Sequence, residues 1–225
     1  MGIGQDIPDE KQAPVLSWSG AVPVADAFDD PYFSVSGGLA EAEHVFLRGN
    51  DLPTRLTDGF QIAELGFGTG LNALAVAQAW TGPGRIRFAS FEAFPMDLAD
   101  MARALSAFPK IARFADELLR QWPASRIRIG AVDLTVIRGD ARRTLPEWEG
   151  MADAWFLDGF SPARNPELWG DVLMEAVARH TAPGGTFATY TAAGHVRRAL
   201  DAAGFAVERV PGYARKRHMT KGVLR

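Results

Sequence analysis

One stretch of this sequence combines backbone freedom with charge: Glu64-Leu65-Gly66-Phe67-Gly68-Thr69-Gly70, which closes an apolar run and leads into a helical stretch from Leu71-Asn72. Glycines at alternate positions let a backbone turn sharply and approach a ligand with no side chain in the way. The spacing lacks the last glycine of a dinucleotide fingerprint, where Leu71 stands, and the Gly-Lys-Ser/Thr of a phosphate loop. An acid beside such a loop suits a cationic ligand better than a polyphosphate. Two further acids follow apolar runs. Glu92 stands where a carboxylate can accept from a pair of ribose hydroxyls, and Asp140, in Gly139-Asp140-Ala141, where one can accept from the amino group of a base. Either acid alone reads equally well as a helix cap or a solvated side chain. Their order behind the glycine loop gives them weight together. A fourth acid, Asp158, heads the Gly/Pro/Asn-rich segment Asp158-Gly159-Phe160-Ser161-Pro162-Ala163-Arg164-Asn165-Pro166. It stands where the segment after it can close over a substrate.

Holding these groups together requires strands that alternate with helices. Apolar strand-like runs cover 60–65, 86–91, 127–137, 152–157, 186–190 and 205–210. Helical patterns lie between them at 71–80, 96–108, 110–122, 166–180 and 193–203, with a shorter one at 37–48. The alternation predicts an α/β fold with a mostly parallel sheet covered on both faces. Two extended runs around Pro211-Gly212, the second at 213–219, predict that the sheet ends in an antiparallel hairpin. In such sheets ligands bind beyond the carboxyl ends of the strands, where Asp158 and the glycine loop both fall. Residues 1–17 read as a loose leader, residues 1–58 as an N-terminal extension with a short helix, and residues 59–225 as the catalytic domain.

Composition narrows the chemistry further. The 225 residues contain no cysteine, which excludes a thiolate nucleophile, a disulfide framework and Cys-held metal clusters. His44, His180, His195 and His218 have no ligand-like spacing, so no metal is expected. The amino terminus carries acids and no apolar run, and no stretch approaches the ~20 apolar residues of a membrane span, so the expectation is a soluble, cytoplasmic protein. The net charge of −3 is unevenly spread: residues 213–225 hold Arg215, Lys216, Arg217, Lys221 and Arg225 with no acid. Such an edge either guides a polyanion or is a solvated tail.

The acid-x-Gly-x-Gly-x-Gly loop and the hairpin-ended parallel sheet resemble class I methyltransferases, whose S-adenosylmethionine has a cationic sulfonium and no phosphates. More specifically, ELGFGTGLN, FLDGFSPARNPELW, YTAAGHVRRAL and YARKRHM, with DDPYFSVSGGLAEAEHVFLRGNDLP upstream, resemble the methyltransferase half of the bifunctional tRNA 5-methylaminomethyl-2-thiouridine biosynthesis family (MnmC type). The likeness is collinear over about residues 16–222, with Ser161 and Arg164 where the family usually carries alanine and lysine. That family continues into a flavin-binding oxidase. This sequence stops at Arg225 and resembles the stand-alone form, which is expected to carry out only the methyl transfer.

The resemblance implies methylation of the primary amine of 5-aminomethyl-(2-thio)uridine at the tRNA wobble position. It implies S-adenosylmethionine contacts from Glu64, Gly66, Phe67, Gly68, Gly70, Asn72, Glu92, Asp140 and Asp158, with Asp158 also catalytic. Contacts to the tRNA anticodon stem-loop are expected from Phe160, Arg164, Arg215, Lys216 and Arg217, and a stacking surface for a flipped base from among Phe67, Phe160, Trp169, Tyr32 and Phe33. A separate oxidase or modification enzyme is expected to supply the aminomethyl precursor. Two alternatives stay open: an amino-group methyltransferase acting on a small molecule or a protein, and a non-catalytic RNA-binding protein that retains the cofactor fold. An aminopropyltransferase normally has a loop richer in Gly and Asp, and the Asp-Pro-Pro-Tyr type motif of DNA adenine methyltransferases does not match Asp158-Gly159-Phe160-Ser161-Pro162.

Overall fold

The alternation of apolar runs and amphipathic segments builds one eight-stranded sheet between two helical layers. The structure, a computed structural model, describes residues 13–34 and 37–225. A small antiparallel sheet comes first: β1 (Leu16–Ser19), β2 (Val22–Ala25) and β3 (Asp30–Pro31). A helical segment follows, α1 (Gly38–Ala42) running on through a π turn and a 3-10 turn to Asn50. The main sheet then collects β4 (Gln61–Leu65), β5 (Ile86–Glu92), β6 (Arg126–Ile129), β7 (Val132–Arg138), β8 (Ala152–Leu157), β9 (Thr181–Thr189), β10 (Phe205–Pro211) and β11 (His218–Leu224). Their order is β10-β11-β9-β8-β4-β5-β7-β6. Strands β7, β5, β4, β8 and β9 pair in parallel, while β11 is antiparallel to both β9 and β10.

Alternate residues of each strand feed opposite cores, as a period of two requires. Ile62, Phe88, Leu134 and Phe156 face a core shared with α2 (Leu71–Ala79), α3 (Leu98–Leu105), α4 (Ala112–Gln121) and the segment from Leu39 to Leu56. Leu65, Phe91, Trp155 and Phe187 face the other, with α5 (Ala141–Thr144), α6 (Asp171–Arg179) and α7 (Gly194–Ala202). Helix α2 is buried from Leu71 through Ala77, as expected for a helix covered on all sides. The N-terminal segment is tied down by Asn50, whose fully buried amide donates to Phe46 O and Trp155 O and whose Oδ1 accepts from Thr186 Oγ1 at 2.6 Å.

Several boundaries depart from expectation. The run 127–137 is two strands, β6 and β7, folded back antiparallel around Gly130-Ala131. Burial passes from Ile127 and Ile129 to Val132, Leu134 and Val136, a change of parity that only a turn allows. The last strand is β11 rather than 213–219. Residues 212–217 are a loop closed by the Lys216 N–H donating to Tyr213 O at 2.9 Å. The 166–180 helix is interrupted: Pro166–Trp169 form a 3-10 turn, and Gly170, extended at ψ 155°, separates it from α6. Strand β9 starts before Pro183-Gly184-Gly185 and pairs with β8 through a register shift. Residues 1–12 of the expected leader lie outside the described residues, and its end is the strand β1.

Candidate active site

The strand order reverses between β4 and β8, so the loops leaving those two strands diverge and open a crevice at their carboxyl ends. The Gly66 N–H donates to Phe91 O, and the Asp158 N–H to Leu65 O, which fixes the floor. Over it lies a cavity of about 970 Å³, walled by the glycine loop, the ends of β5 and β7, the loop after β8, α1 and the β2–β3 region. Gly66 has φ 86°, and a Cβ there would lie 2.7 Å from Asp158 O. Gly68 has φ 53°, and a Cβ there would face the Tyr32 ring at 3.1 Å. Glycine at these two positions keeps the cavity floor open.

Asp158 reaches this cavity. Its Oδ1 accepts from Gly159 N–H and its Oδ2 from Asn72 Nδ2, both at 2.9 Å. Burial pushes its carboxyl up to about 6. The Asn72 and Gly159 hydrogen bonds and the Lys216 charge oppose that rise, while Glu41 adds to it. Glu92 is held in a nest of backbone donors, Gly68 N–H at 2.9 Å and Phe94 N–H at 2.7 Å, with the Phe67 and Ala93 N–H groups also facing it. Burial still moves its carboxyl upward. Asp140 lines the cavity, but its carboxylate also caps α5 through the Arg142 N–H and pairs with that guanidinium at 2.6 Å.

Two of the expected cofactor contacts do not line the cavity. Glu64 is fully buried beneath it, accepting from Asn72 Nδ2 at 2.7 Å and Ser90 Oγ at 2.5 Å, and desolvation drives its carboxyl well above the usual range. Gly70, at φ 79°, closes the turn into α2 and packs where a Cβ would strike Phe67 and Leu118. Asn72 lines the cavity and bridges both acids with one amide. Phe67 stacks its buried ring on Trp122, and Trp169 is buried with its Nε1–H donating to Phe160 O, so neither ring offers a stacking surface. Phe33 lines the cavity and packs edge-on against Phe108.

The wall opposite the glycine loop is aromatic. Phe160 stacks on Phe28 with centroids 4.5 Å apart and meets Tyr32 edge-on at 5.1 Å. The β3 region is pinned there: Asp30 accepts from Ser161 N–H at 2.6 Å, and Asp29 pairs with Arg164 at 2.7 Å. Lys216 enters the cavity, whereas Arg215 and Arg217 are exposed outside it. Sequence reasoning missed Phe28, Asp30, Glu41 and Tyr190. Tyr190 was open to discovery, since it directly follows β9 at the same sheet edge as Asp158. No group of three or more His, Asp or Glu suited to a metal ion occurs among the described residues, and no helix among them is long and apolar enough to cross a membrane.

Comparison with known proteins places the chain in a family and a fold. Residues 109–225 match a family of S-adenosyl-L-methionine-dependent methyltransferases. A bifunctional tRNA 5-methylaminomethyl-2-thiouridine biosynthesis protein MnmC from Methylobacillus flagellatus is 45% identical over 231 residues, 96% of this chain and 36% of that one. Its namesake from Chromobacterium violaceum is 42% identical over 223 residues, 92% of this chain and 34% of that one. The chain thus spans about a third of the length of these curated relatives. The crystal structure of MNMC2 from Aquifex aeolicus superposes with a TM-score of 0.77 at 26% identity, covering 96% of this chain and 72% of that one. Spermidine synthase from Thermotoga maritima, at 10% identity and a TM-score of 0.56, shares the fold over 90% of this chain and 64% of its own.

Proposed function

Since this chain belongs to the S-adenosyl-L-methionine-dependent methyltransferase family, we propose that it methylates the primary amine of 5-aminomethyl-(2-thio)uridine at the wobble position of tRNA. The observation that carries the reading is a carboxylate, Asp158, held by two donors on the floor of a cavity that pairs a glycine cradle with an aromatic wall. The bound cofactor supplies an electrophilic methyl group. In this reading Gly66 and Gly68 let the backbone approach it, Glu92 accepts from its ribose, and Asp140 accepts from its base. Glu64 serves by fixing Asn72.

Asp158 accepts a hydrogen bond from the substrate amine and aims its lone pair. At about 6 its carboxyl is a better acceptor than an ordinary aspartate, yet it stays far below an alkylammonium at ~10.4, so orientation outweighs proton abstraction. Alignment in a water-poor crevice then supplies much of the rate. Phe28, Tyr32 and Phe160 offer faces and edges to a base lifted from its stack. The exposed Arg164, Arg215 and Arg217 suit phosphates of the anticodon stem-loop. The reading takes residues 1–58 as an extension and 59–225 as the methyltransferase domain, with the extension sharing the core through Leu39–Leu56. It places the work in the cytoplasm, downstream of a separate oxidase or modification enzyme that yields the aminomethyl base.

The test is nucleoside mass analysis of tRNA from cells lacking this protein. Accumulation of 5-aminomethyl-uridines is expected. Unchanged wobble nucleosides would overturn the proposal.

A further inference from the structure

Lys216 is the only lysine among the described residues that line the cavity, and its placement differs from that of its neighbours in the basic loop. Its ammonium lies 2.8 Å from Glu41 Oε1 and 4.2 Å over the centre of the Tyr190 ring. The Tyr190 hydroxyl donates to Gly159 O at 2.7 Å, which fixes the ring beside Asp158. A cation thus sits between a carboxylate and an aromatic face, next to the carboxylate assigned to the amine.

The two members of this ion pair are not equivalent. The Glu41 side chain is 12% exposed and belongs to α1, whose Leu39 and Ala42 are in the core; the Lys216 side chain is 45% exposed and arrives on a flexible stem from a loop. The loop rests on the helical segment through His44, whose ring nitrogen approaches Pro211 O at 3.4 Å and whose ring packs by Tyr213. Moving the lysine aside asks for a few rotamer changes. Leaving the buried carboxylate without a cation is costly. Glu41 therefore parts with Lys216 most readily when another cation replaces it. The end of a lysine side chain and an aminomethyl group are both –CH₂–NH₃⁺.

We propose that Glu41 and Tyr190 form the subsite that receives the substrate's ammonium, and that Lys216 is a resident occupant displaced by it. The inference rests on the proposed methylation of an aminomethyl base and adds the groups that admit the amine. Lys216 is then a place-holder and a selectivity device rather than a phosphate contact. A neutral wobble base has nothing with which to exchange for it.

The experiment compares binding of two synthetic anticodon stem-loops, one with 5-aminomethyluridine and one with uridine at the wobble position. Wild type, Glu41→Gln and Lys216→Met are measured, with S-adenosylmethionine affinity by calorimetry as the check of fold. Wild type should prefer the amine-bearing stem-loop, and Glu41→Gln should lose roughly tenfold or more of that preference, the scale of one charged hydrogen bond. Lys216→Met should increase the preference. An unchanged ratio in Glu41→Gln, or equal weakening of both stem-loops in Lys216→Met, would overturn the proposal. If Glu41→Gln does not fold, the Lys216→Met ratio decides alone. A wild type that neither prefers nor methylates the amine-bearing stem-loop removes the proposed function and this inference together, whereas methylation with an unchanged ratio removes only the inference.

Discussion

Asp158 carries opposite consequences for folding and for catalysis. Burial lifts its carboxyl from 3.8 to about 6, so the folded protein holds this proton more tightly than the unfolded chain. Its contribution to stability is therefore largest below pH 3.8, shrinks as the pH rises through about 6, and is absent above that. The proposed role needs the ionised form, so the rate should fall as the pH drops through about 6. In Asp158→Asn that acid limb should disappear and turnover should drop on the order of 10²-fold or more, with cofactor affinity changing far less. The loss includes misorientation. Both carboxylate oxygens accept from fixed donors, Asn72 Nδ2 and Gly159 N–H, so an amide at position 158 must turn its NH₂ toward one of them. Steady-state rates across pH for the two proteins test this, and a normal rate in the variant would reduce Asp158 to a structural residue.

Among the elements, the loop between β4 and α2 holds two glycines with different neighbours. A Cβ at Gly66 would meet a backbone carbonyl, which cannot move aside; one at Gly68 would meet the edge of the Tyr32 ring, which can. Gly66→Ala should therefore lower the melting temperature, by a stability loss of about 1–3 kcal/mol. Gly68→Ala, strained by its φ of 53° but facing only a ring that can shift, should lose less stability than Gly66→Ala yet bind S-adenosylmethionine more weakly. Thermal melts paired with calorimetry distinguish the two, and the reverse pattern would mean that the cradle is misread. The loop was legible in the sequence because glycine spacing after an apolar strand is a local pattern. So were Glu92, Asp140 and Asp158, each close behind an apolar run. The turn at Gly130 was not, because the apolar residues on its two sides merge into one run and only their change of parity marks it. Glu41 and the aromatic wall were not legible. Asp30 meets Ser161 across 131 residues and Asp29 meets Arg164 across 135, and no local spacing encodes such pairs.

For the molecule as a whole, the alternation of strands and helices specified the sheet because each unit has one allowed hand and a neighbour beside it. The small sheet β1–β3 follows no such rule. Its strands are four, four and two residues long, and among the described residues its ties to the loop after β8 are one hydrogen bond from the Ser161 N–H to the Asp30 carboxylate, one exposed ion pair and the packing of Phe28 and Tyr32 on Phe160. Beneath that roof the sheet interior is fully buried. So uneven a distribution of contacts sets two clocks in one protein. Amide protons of Asp26, Phe28, Tyr32 and Ser161 should exchange with deuterium through brief local openings, long before those of Ile62, Phe88 and Phe156, which wait for global unfolding. Saturating S-adenosylmethionine should slow the first group and leave the order of the second unchanged. Equal exchange times for roof and floor would mean that the cavity opens only when the whole protein does.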